Sequence, residues 1–182
     1  MGAVSNAYAR FLQGKAQNDT ASGFEPLWLP DFLFGFQRAL VEWAVRMGRC
    51  AVFADCGMGK TPIALAWAEN VVRRTNRPVL VVTPLAVGAQ FIAEASKFGV
   101  EAQRSGGGRV TAPGVYVTNY EKLHLFDAAD FAGVVYDESS ILKSFDGVTR
   151  KVATEFARPL AYRLLPTATA APNDFVELGT SS

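Results

Sequence analysis

The chain has 182 residues, of which 49% are hydrophobic and 19% charged, a composition that fits one globular domain with a sizeable core and leaves two domains cramped. Its formal net charge of +1 excludes binding to a polyanion through the overall field, so any nucleic-acid contact must come from local geometry. No run reaches the ~18 apolar residues of a membrane span and no signal-like stretch opens the chain, so we expect a cytoplasmic protein of a bacterial cell or phage-infected host, with no membrane partner.

Five short apolar runs, rich in β-branched residues, predict strands that are buried on both faces. They cover residues 50–54, 79–83, 114–118, 133–137 and 162–167. Apolar residues at helical spacing predict helices over residues 36–48, 61–74 and 85–98. The alternation of strand and helix predicts an α/β fold in three layers, with a mainly parallel sheet flanked by helices.

Three stretches depart from this alternation. Pro166 lies inside the fifth predicted strand, and because proline cannot donate to a sheet ladder, it belongs on an edge or at a strand end. The glycine-rich residues 104–114 predict a surface loop. We interpret residues 1–31 as an N-terminal helix and approach segment, ahead of a domain over residues 32–182.

Residues 54–61 fit the pattern A-x-x-G-x-G-K-T, the helicase form of a phosphate-binding loop, between a predicted strand and a predicted helix. The glycines let backbone N–H groups converge on phosphate oxygens, and the helix presents its positive end to the same anion. Lys60 adds charge for the β and γ phosphates, and Thr61 offers a hydroxyl to Mg²⁺. The alternative is a plain glycine turn with a solvated lysine. The predicted nucleotide-binding residues of the loop are Ala54, Asp55, Cys56, Gly57, Met58, Gly59, Lys60 and Thr61.

Two carboxylates follow the fourth predicted strand, at the end of the segment GVVYDESS. Asp137 is predicted to hold Mg²⁺ through its water shell, and Glu138 to orient or deprotonate the attacking water. The alternative is an acidic helix N-cap formed with the serines that follow.

These motifs resemble those of the N-terminal RecA-like lobe of superfamily 2 helicases and translocases, above all the Swi/Snf-type branch of bacteria and phages. The resemblance covers residues 32–178 and implies a RecA-like P-loop NTPase that uses ATP and Mg²⁺. In that family a glutamine upstream of the phosphate loop selects adenine, and Gln37 occupies the matching position. DESS stands where many relatives have D-E-A-H, so only Asp137 and Glu138 carry over.

The resemblance also implies a track of residues along a nucleic-acid backbone and a segment that couples it to the γ-phosphate site. Segments similar to motifs Ia and Ib supply the track: Thr83, Pro84, Gln90, Thr118, Asn119 and Tyr120. Such contacts position nucleic acid without identifying bases. The segment LLPTATAAPND resembles motif III, in which Thr167 and Thr169 take the coupling positions.

The resemblance implies the first half of an ATP-driven DNA helicase or translocase. A second RecA-like lobe, in cis or in trans, supplies the arginine of the transition state, so one lobe alone is expected to bind ATP and hydrolyse it poorly. A partner of duplex DNA, contacted through its backbone, is expected. Two alternatives are a stand-alone nucleotide-dependent binding module and, third, a small-molecule kinase with Arg104 and Arg109 in its lid.

Overall fold

The apolar runs form one sheet in which all paired strands are parallel. The computed structural model describes residues 21–54, 57–138 and 147–167. Its strands are β1 (Arg49–Phe53), β2 (Val79–Thr83), β3 (Ala102–Arg104), β4 (Val115–Asn119), β5 (Gly133–Tyr136) and β6 (Tyr162–Thr167). Their order in the sheet is β1-β6-β5-β2-β4-β3. The five predicted strands are confirmed, and the short β3 is an addition at one edge.

Helices connect these strands. The described α-helices are α1 (Gly35–Met47), α2 (Lys60–Thr75), α3 (Gly88–Lys97) and α4 (Gly147–Ala157). Two short 3₁₀ helices follow β4, over Tyr120–Leu125 and Ala128–Asp130. None of the helices within the described ranges combines the length and the apolar character that crossing a bilayer requires.

The three predicted helices are present, but α3 begins later than the apolar spacing suggested. The N–H of Val87 donates to the carbonyl of Pro84 at 2.9 Å, and this turn separates the end of β2 from the helix. The helix therefore begins at Gly88, and α4 and the 3₁₀ helices were not predicted.

Side chains from alternating strand positions pack into two cores, one on each face of the sheet. Val79 and Val81 of β2 join the core formed with α1, α2 and α3. Leu80 and Val82 of the same strand join the core formed with α4 and the 3₁₀ helices. All four side chains are fully buried. The predicted three-layer α/β fold is therefore confirmed.

Pro166 lies in an interior strand but at its end, as proline requires. The register of β6 with β5 stops at Leu164, two residues earlier, whereas its register with β1 continues to Thr167. A missing N–H on the β5 side therefore costs no ladder hydrogen bond. Because the strands are parallel, their carboxyl ends all lie along the same end of the sheet, which we call its carboxyl edge. Ligands of open α/β sheets bind at this end.

Candidate nucleotide-binding site

The predicted phosphate loop lies between β1 and α2, and its two described glycines have the backbone conformation that such a loop needs. Gly57 and Gly59 have φ values of +86° and +75°, in the left-handed region that favours glycine. Gly59 is the N-cap of α2, and no side chain caps the helix there. The first-turn N–H groups of α2 are thus left for an anion. Two of the predicted loop residues lie outside the described residues, Asp55 and Cys56.

Gln37, the predicted adenine-selecting residue, is attached directly to this loop. Its Nε2 donates to the carbonyl of Met58 at 3.1 Å, and its Oε1 accepts from the N–H of Phe34 at 3.0 Å. A Cβ added at Gly59 would lie 2.2 Å from Nε2 of Gln37, so a larger residue there would displace the Gln37 amide, in addition to the strain of its positive φ. The amide oxygen can accept a second hydrogen bond and the amide nitrogen can donate a second one. Gln37 therefore keeps the capacity to bind adenine while it makes both of these contacts.

The predicted carboxylate pair faces the phosphate loop. Asp137 directly follows β5, and its N–H donates to the carbonyl of Val82 at 2.9 Å, which fixes it against β2. The Oε2 of Glu138 lies 3.3 Å from Nζ of Lys60. Glu138 reaches this position from a left-handed backbone with φ of +52°. Strain of this kind recurs at functional sites.

Asp137 is a buried carboxylate whose negative charge is only weakly compensated by neighbouring groups. Burial above all, and then the charge of Glu138, raise the pKa of Asp137 to about 6, while Lys60 acts in the opposite direction. A carboxylate in such surroundings is stabilised by a cation, and its oxygens are the hard donors that Mg²⁺ prefers. Thr61, the other predicted Mg²⁺ ligand, is the second residue of α2.

The described residues offer few further ligands for such an ion. Within the described ranges no group of three or more His, Cys, Asp or Glu side chains could hold a metal by itself. The arrangement therefore fits Mg²⁺ held by few protein ligands together with substrate phosphates, as nucleotide-binding proteins hold it.

Thr167, one of the two predicted coupling residues, lies between the phosphate loop and the carboxylate pair. It ends β6, the strand between β1 and β5, and it is fully buried. Its carbonyl accepts the N–H of Ala54, the first residue of the loop, at 3.0 Å. A movement of the backbone at the end of β6 would therefore displace the first residue of the phosphate loop through this hydrogen bond. Thr169 lies outside the described residues.

The predicted nucleic-acid track lies mainly at the same sheet edge, but its members differ in exposure. Thr83 and Thr118 are buried at the ends of β2 and β4, and the Oγ1 of Thr83 donates to the carbonyl of Thr118 at 3.4 Å. Asn119 caps the first 3₁₀ helix by accepting the N–H of Lys122. Pro84 is half-buried; Gln90 is exposed on α3 and donates to Glu94 at 2.9 Å.

Tyr120, the last member of the track, is buried rather than exposed. Its hydroxyl donates to the carbonyl of Asp137 at 2.9 Å, and its ring stacks on Tyr136 with centroids 6.0 Å apart. Only 2% of the residue is exposed. Its geometry suits a residue that holds Asp137 in place better than one that touches a bound strand.

Comparisons with known proteins agree with the fold described above. No protein-family model matches the chain. Among curated proteins, the DNA annealing helicase and endonuclease ZRANB3 of Mus musculus is 28% identical over 174 residues, covering 86% of this chain and 16% of that protein.

Among solved structures, the SWI2/SNF2 ATPase core of Sulfolobus solfataricus in complex with dsDNA matches with a TM-score of 0.65 and 22% identity, over 86% of this chain and 37% of that one. The UvsW helicase of bacteriophage T4 matches with a TM-score of 0.66 and 13% identity, over 91% of this chain and 63% of that one. The predicted resemblance to superfamily 2 helicases and the RecA-like fold are confirmed. The chain spans less than two thirds of each of these relatives, and an origin in bacteria or phages stays a prediction.

Proposed function

We propose that this chain is the ATP-binding first lobe of an ATP-dependent DNA helicase or translocase. The proposal rests on one observation, the 3.3 Å contact between Lys60 and Glu138. That contact joins two motifs from strands that are not neighbours, because β6 separates β1 from β5. The likeness to a SWI2/SNF2 core in complex with dsDNA supports duplex DNA as the partner.

Each residue of the proposed site has a separate task. Gln37 contacts adenine, and Lys60 binds the β and γ phosphates beside the N–H groups at the start of α2. Thr61 and Asp137 hold Mg²⁺, which when bound would neutralise the charge of the phosphates. Glu138 orients the attacking water and accepts its proton.

The ion pair between Lys60 and Glu138 changes when nucleotide binds. The phosphates carry more negative charge than Glu138, so the ammonium group of Lys60 moves toward them and its contact with Glu138 weakens. The weaker contact leaves the Oε2 of Glu138 able to accept a hydrogen bond from the attacking water. Binding of ATP therefore prepares the proposed base for its task.

Hydrolysis by one lobe is expected to be slow. An arginine supplied to the transition state is worth roughly 10³ to 10⁵ in rate in enzymes that transfer phosphoryl groups. We propose that a second RecA-like lobe, in cis or in trans, provides it, and that Thr167 and Thr169 couple the nucleotide to bound DNA.

Titration with a fluorescent ATP analogue tests the nucleotide site. We expect Lys60→Ala to bind roughly 10- to 100-fold more weakly, since a hydrogen bond to a charged group is worth about 1.5–3 kcal/mol. Lys97→Ala, the same substitution in the last turn of α3 at the opposite edge of the sheet, is the matched control and should bind like the wild type. Equal affinity of the Lys60→Ala variant and the wild type would refute the proposal.

A further inference from the structure

Tyr120 is the first residue of the first 3₁₀ helix and directly follows β4, and it is almost fully buried. Its hydroxyl donates to the carbonyl of Asp137, whose own N–H donates to the carbonyl of Val82 in β2. Both bonds measure 2.9 Å. The backbone of Asp137 is therefore held at both of its polar groups, at the N–H by β2 and at the carbonyl by the tyrosine.

The carbonyl that Tyr120 holds belongs to the peptide unit between Asp137 and Glu138. Because a peptide unit is planar, its oxygen, its nitrogen and the Cα of Glu138 turn together about the Cα–C bond of Asp137. Holding the oxygen therefore determines the place from which Glu138 continues. From there Glu138 takes its left-handed φ of +52°, a conformation that a residue with a Cβ keeps only where its surroundings hold it.

The carboxylate of Glu138 depends on this backbone for its contact with the phosphate loop. Its Oε2 lies 3.3 Å from Nζ of Lys60. A turn of the preceding peptide would carry the Cα of Glu138 with it and take the carboxylate away from Lys60. The bond from Tyr120 opposes that turn, and because the tyrosine is buried, little water competes for the carbonyl.

Tyr136 offers a comparison within the same cluster. Its ring stacks on that of Tyr120, it is also buried, and its hydroxyl donates to the carbonyl of Ala153 in α4 at 2.7 Å. The two tyrosines thus share burial, ring packing and a hydrogen bond to a backbone carbonyl. They differ in which part of the chain that carbonyl belongs to, so removing each hydroxyl in turn separates positioning of the site from stability.

We propose that Tyr120 positions Glu138: its hydroxyl holds the peptide before Glu138 and so keeps that carboxylate beside Lys60 at the phosphate loop. This inference rests on the proposed function, in which Glu138 is the base. It gives Tyr120 a task other than the nucleic-acid contact predicted from the sequence. Tyr120 is a positioning residue, because it acts through Glu138 and not on the nucleotide itself.

Titration with a fluorescent ATP analogue in the absence of divalent cations tests where Glu138 lies. Glu138→Gln removes the charge that competes with phosphates for Lys60, so we expect it to bind about 2- to 5-fold more tightly than the wild type. We expect Tyr120→Phe to bind more tightly by a similar factor, and the double variant to bind like Glu138→Gln. Tyr136→Phe is the matched control and should bind like the wild type.

Single-turnover hydrolysis, with the lobe in excess over ATP and Mg²⁺ present, measures the same positioning in the reaction. We expect Tyr120→Phe to hydrolyse ATP at least about 10-fold more slowly, because a displaced base loses its alignment with the water. Tyr136→Phe should keep the wild-type rate. Urea denaturation should show similar losses of stability in both variants, since each loses one buried hydrogen bond.

The outcomes separate this inference from the proposed function. If Tyr120→Phe and Tyr136→Phe bind and hydrolyse ATP alike, Tyr120 has only a structural role and the inference is wrong. Weaker metal-free binding by Tyr120→Phe, or a further change when it is added to Glu138→Gln, would also overturn it, because the hydroxyl would then act other than through Glu138. Failure of the wild type to bind the analogue would instead refute the proposed function.

Discussion

The hydroxyl of Thr118 is buried at the end of β4 and makes no hydrogen bond within the described residues. A buried polar group without a partner costs about 1–3 kcal/mol, whereas a methyl group of the same shape costs nothing comparable. Natural structures hold few such groups, and they recur where a ligand or a function uses the site. The position of Thr118 near the carboxyl end of β4, among the predicted nucleic-acid residues, fits that rule.

We therefore expect Thr118→Val to raise the free energy of unfolding by about 1 kcal/mol, since it removes an unsatisfied hydroxyl and keeps the side-chain shape. Urea denaturation measures the change. Thr83→Val is the matched control, because the single hydrogen of its Oγ1 is shared between the carbonyls of Pro84 and Thr118, at 3.2 and 3.4 Å, and loss of this bond should destabilise the lobe. A destabilised Thr118→Val variant would show that the hydroxyl has a structural partner.

The sequence predicted individual site residues where the chemistry itself demands a residue type. Gly57 and Gly59 were predicted from spacing, and both have the left-handed backbone that glycine permits. The close approach of Gln37 to Gly59 could not be predicted, because α1 and the phosphate loop meet only in the folded chain.

Secondary-structure elements also divide into those that the sequence predicts and those that it does not. Strands with continuous apolar runs, such as β2 and β5, were predicted because they are buried on both faces. The strand β3 was missed because Ala102–Arg104 is short and mostly exposed. The helix α4 was missed because it buries only three described side chains, Ala153, Phe156 and Ala157, and leaves Val148 exposed. A narrow apolar stripe gives little periodic signal.

A buried side chain of α2, Asn70, is hydrogen-bonded to the segment before α1. The Oδ1 of Asn70 accepts the N–H groups of Leu27 and Trp28 at 2.7 and 2.9 Å. Its Nδ2 donates to the carbonyls of Trp28 and Ala66, each at 2.7 Å. Asn70 therefore closes four hydrogen bonds that no other residue type of its size supplies.

We expect Asn70→Ala to lower the free energy of unfolding by about 2–4 kcal/mol, because it leaves several buried backbone groups without partners. Urea denaturation with a far-ultraviolet circular dichroism readout measures the loss. Glu69→Ala, the neighbouring substitution on the same helix, removes only a partly exposed ion pair with Arg73 and should change stability by less than about 1 kcal/mol. Similar losses in the two variants would contradict the assigned role of Asn70.

For the lobe as a whole, strand order decides how the site is assembled. The phosphate loop follows β1 and the carboxylates follow β5, with the end of β6 between them. Apolar runs predict that strands exist and are parallel, but they do not determine which strand lies beside which. The order therefore became known only from the structure. It explains why Thr167 contacts the phosphate loop while Tyr120 contacts Asp137.

The same assembly makes the stability of the lobe depend on pH through Asp137. Its pKa is raised from an ordinary value of 3.8 to about 6, first by burial and then by Glu138. The folded state thus binds the proton more tightly than the unfolded state, so this contribution is fully present below pH ~4 and is lost as pH rises through about 6. Above that range the ionised, buried carboxylate costs the metal-free lobe about 3 kcal/mol at most.

We expect Asp137→Asn to raise the melting temperature of the metal-free lobe at pH 7.5, with the gain vanishing below pH ~4, where the wild-type carboxyl is protonated. Differential scanning calorimetry across this pH range measures both effects. Asp31→Asn, the same substitution at an exposed turn, should show no such pH-dependent gain. Mg²⁺ with an ATP analogue should stabilise the wild type more than Asp137→Asn, because the amide is a poorer ligand for a divalent cation. A variant less stable than the wild type at pH 7.5 would mean that a partner within the fold already compensates the charge of Asp137, and the proposed metal site would then lose its physical basis.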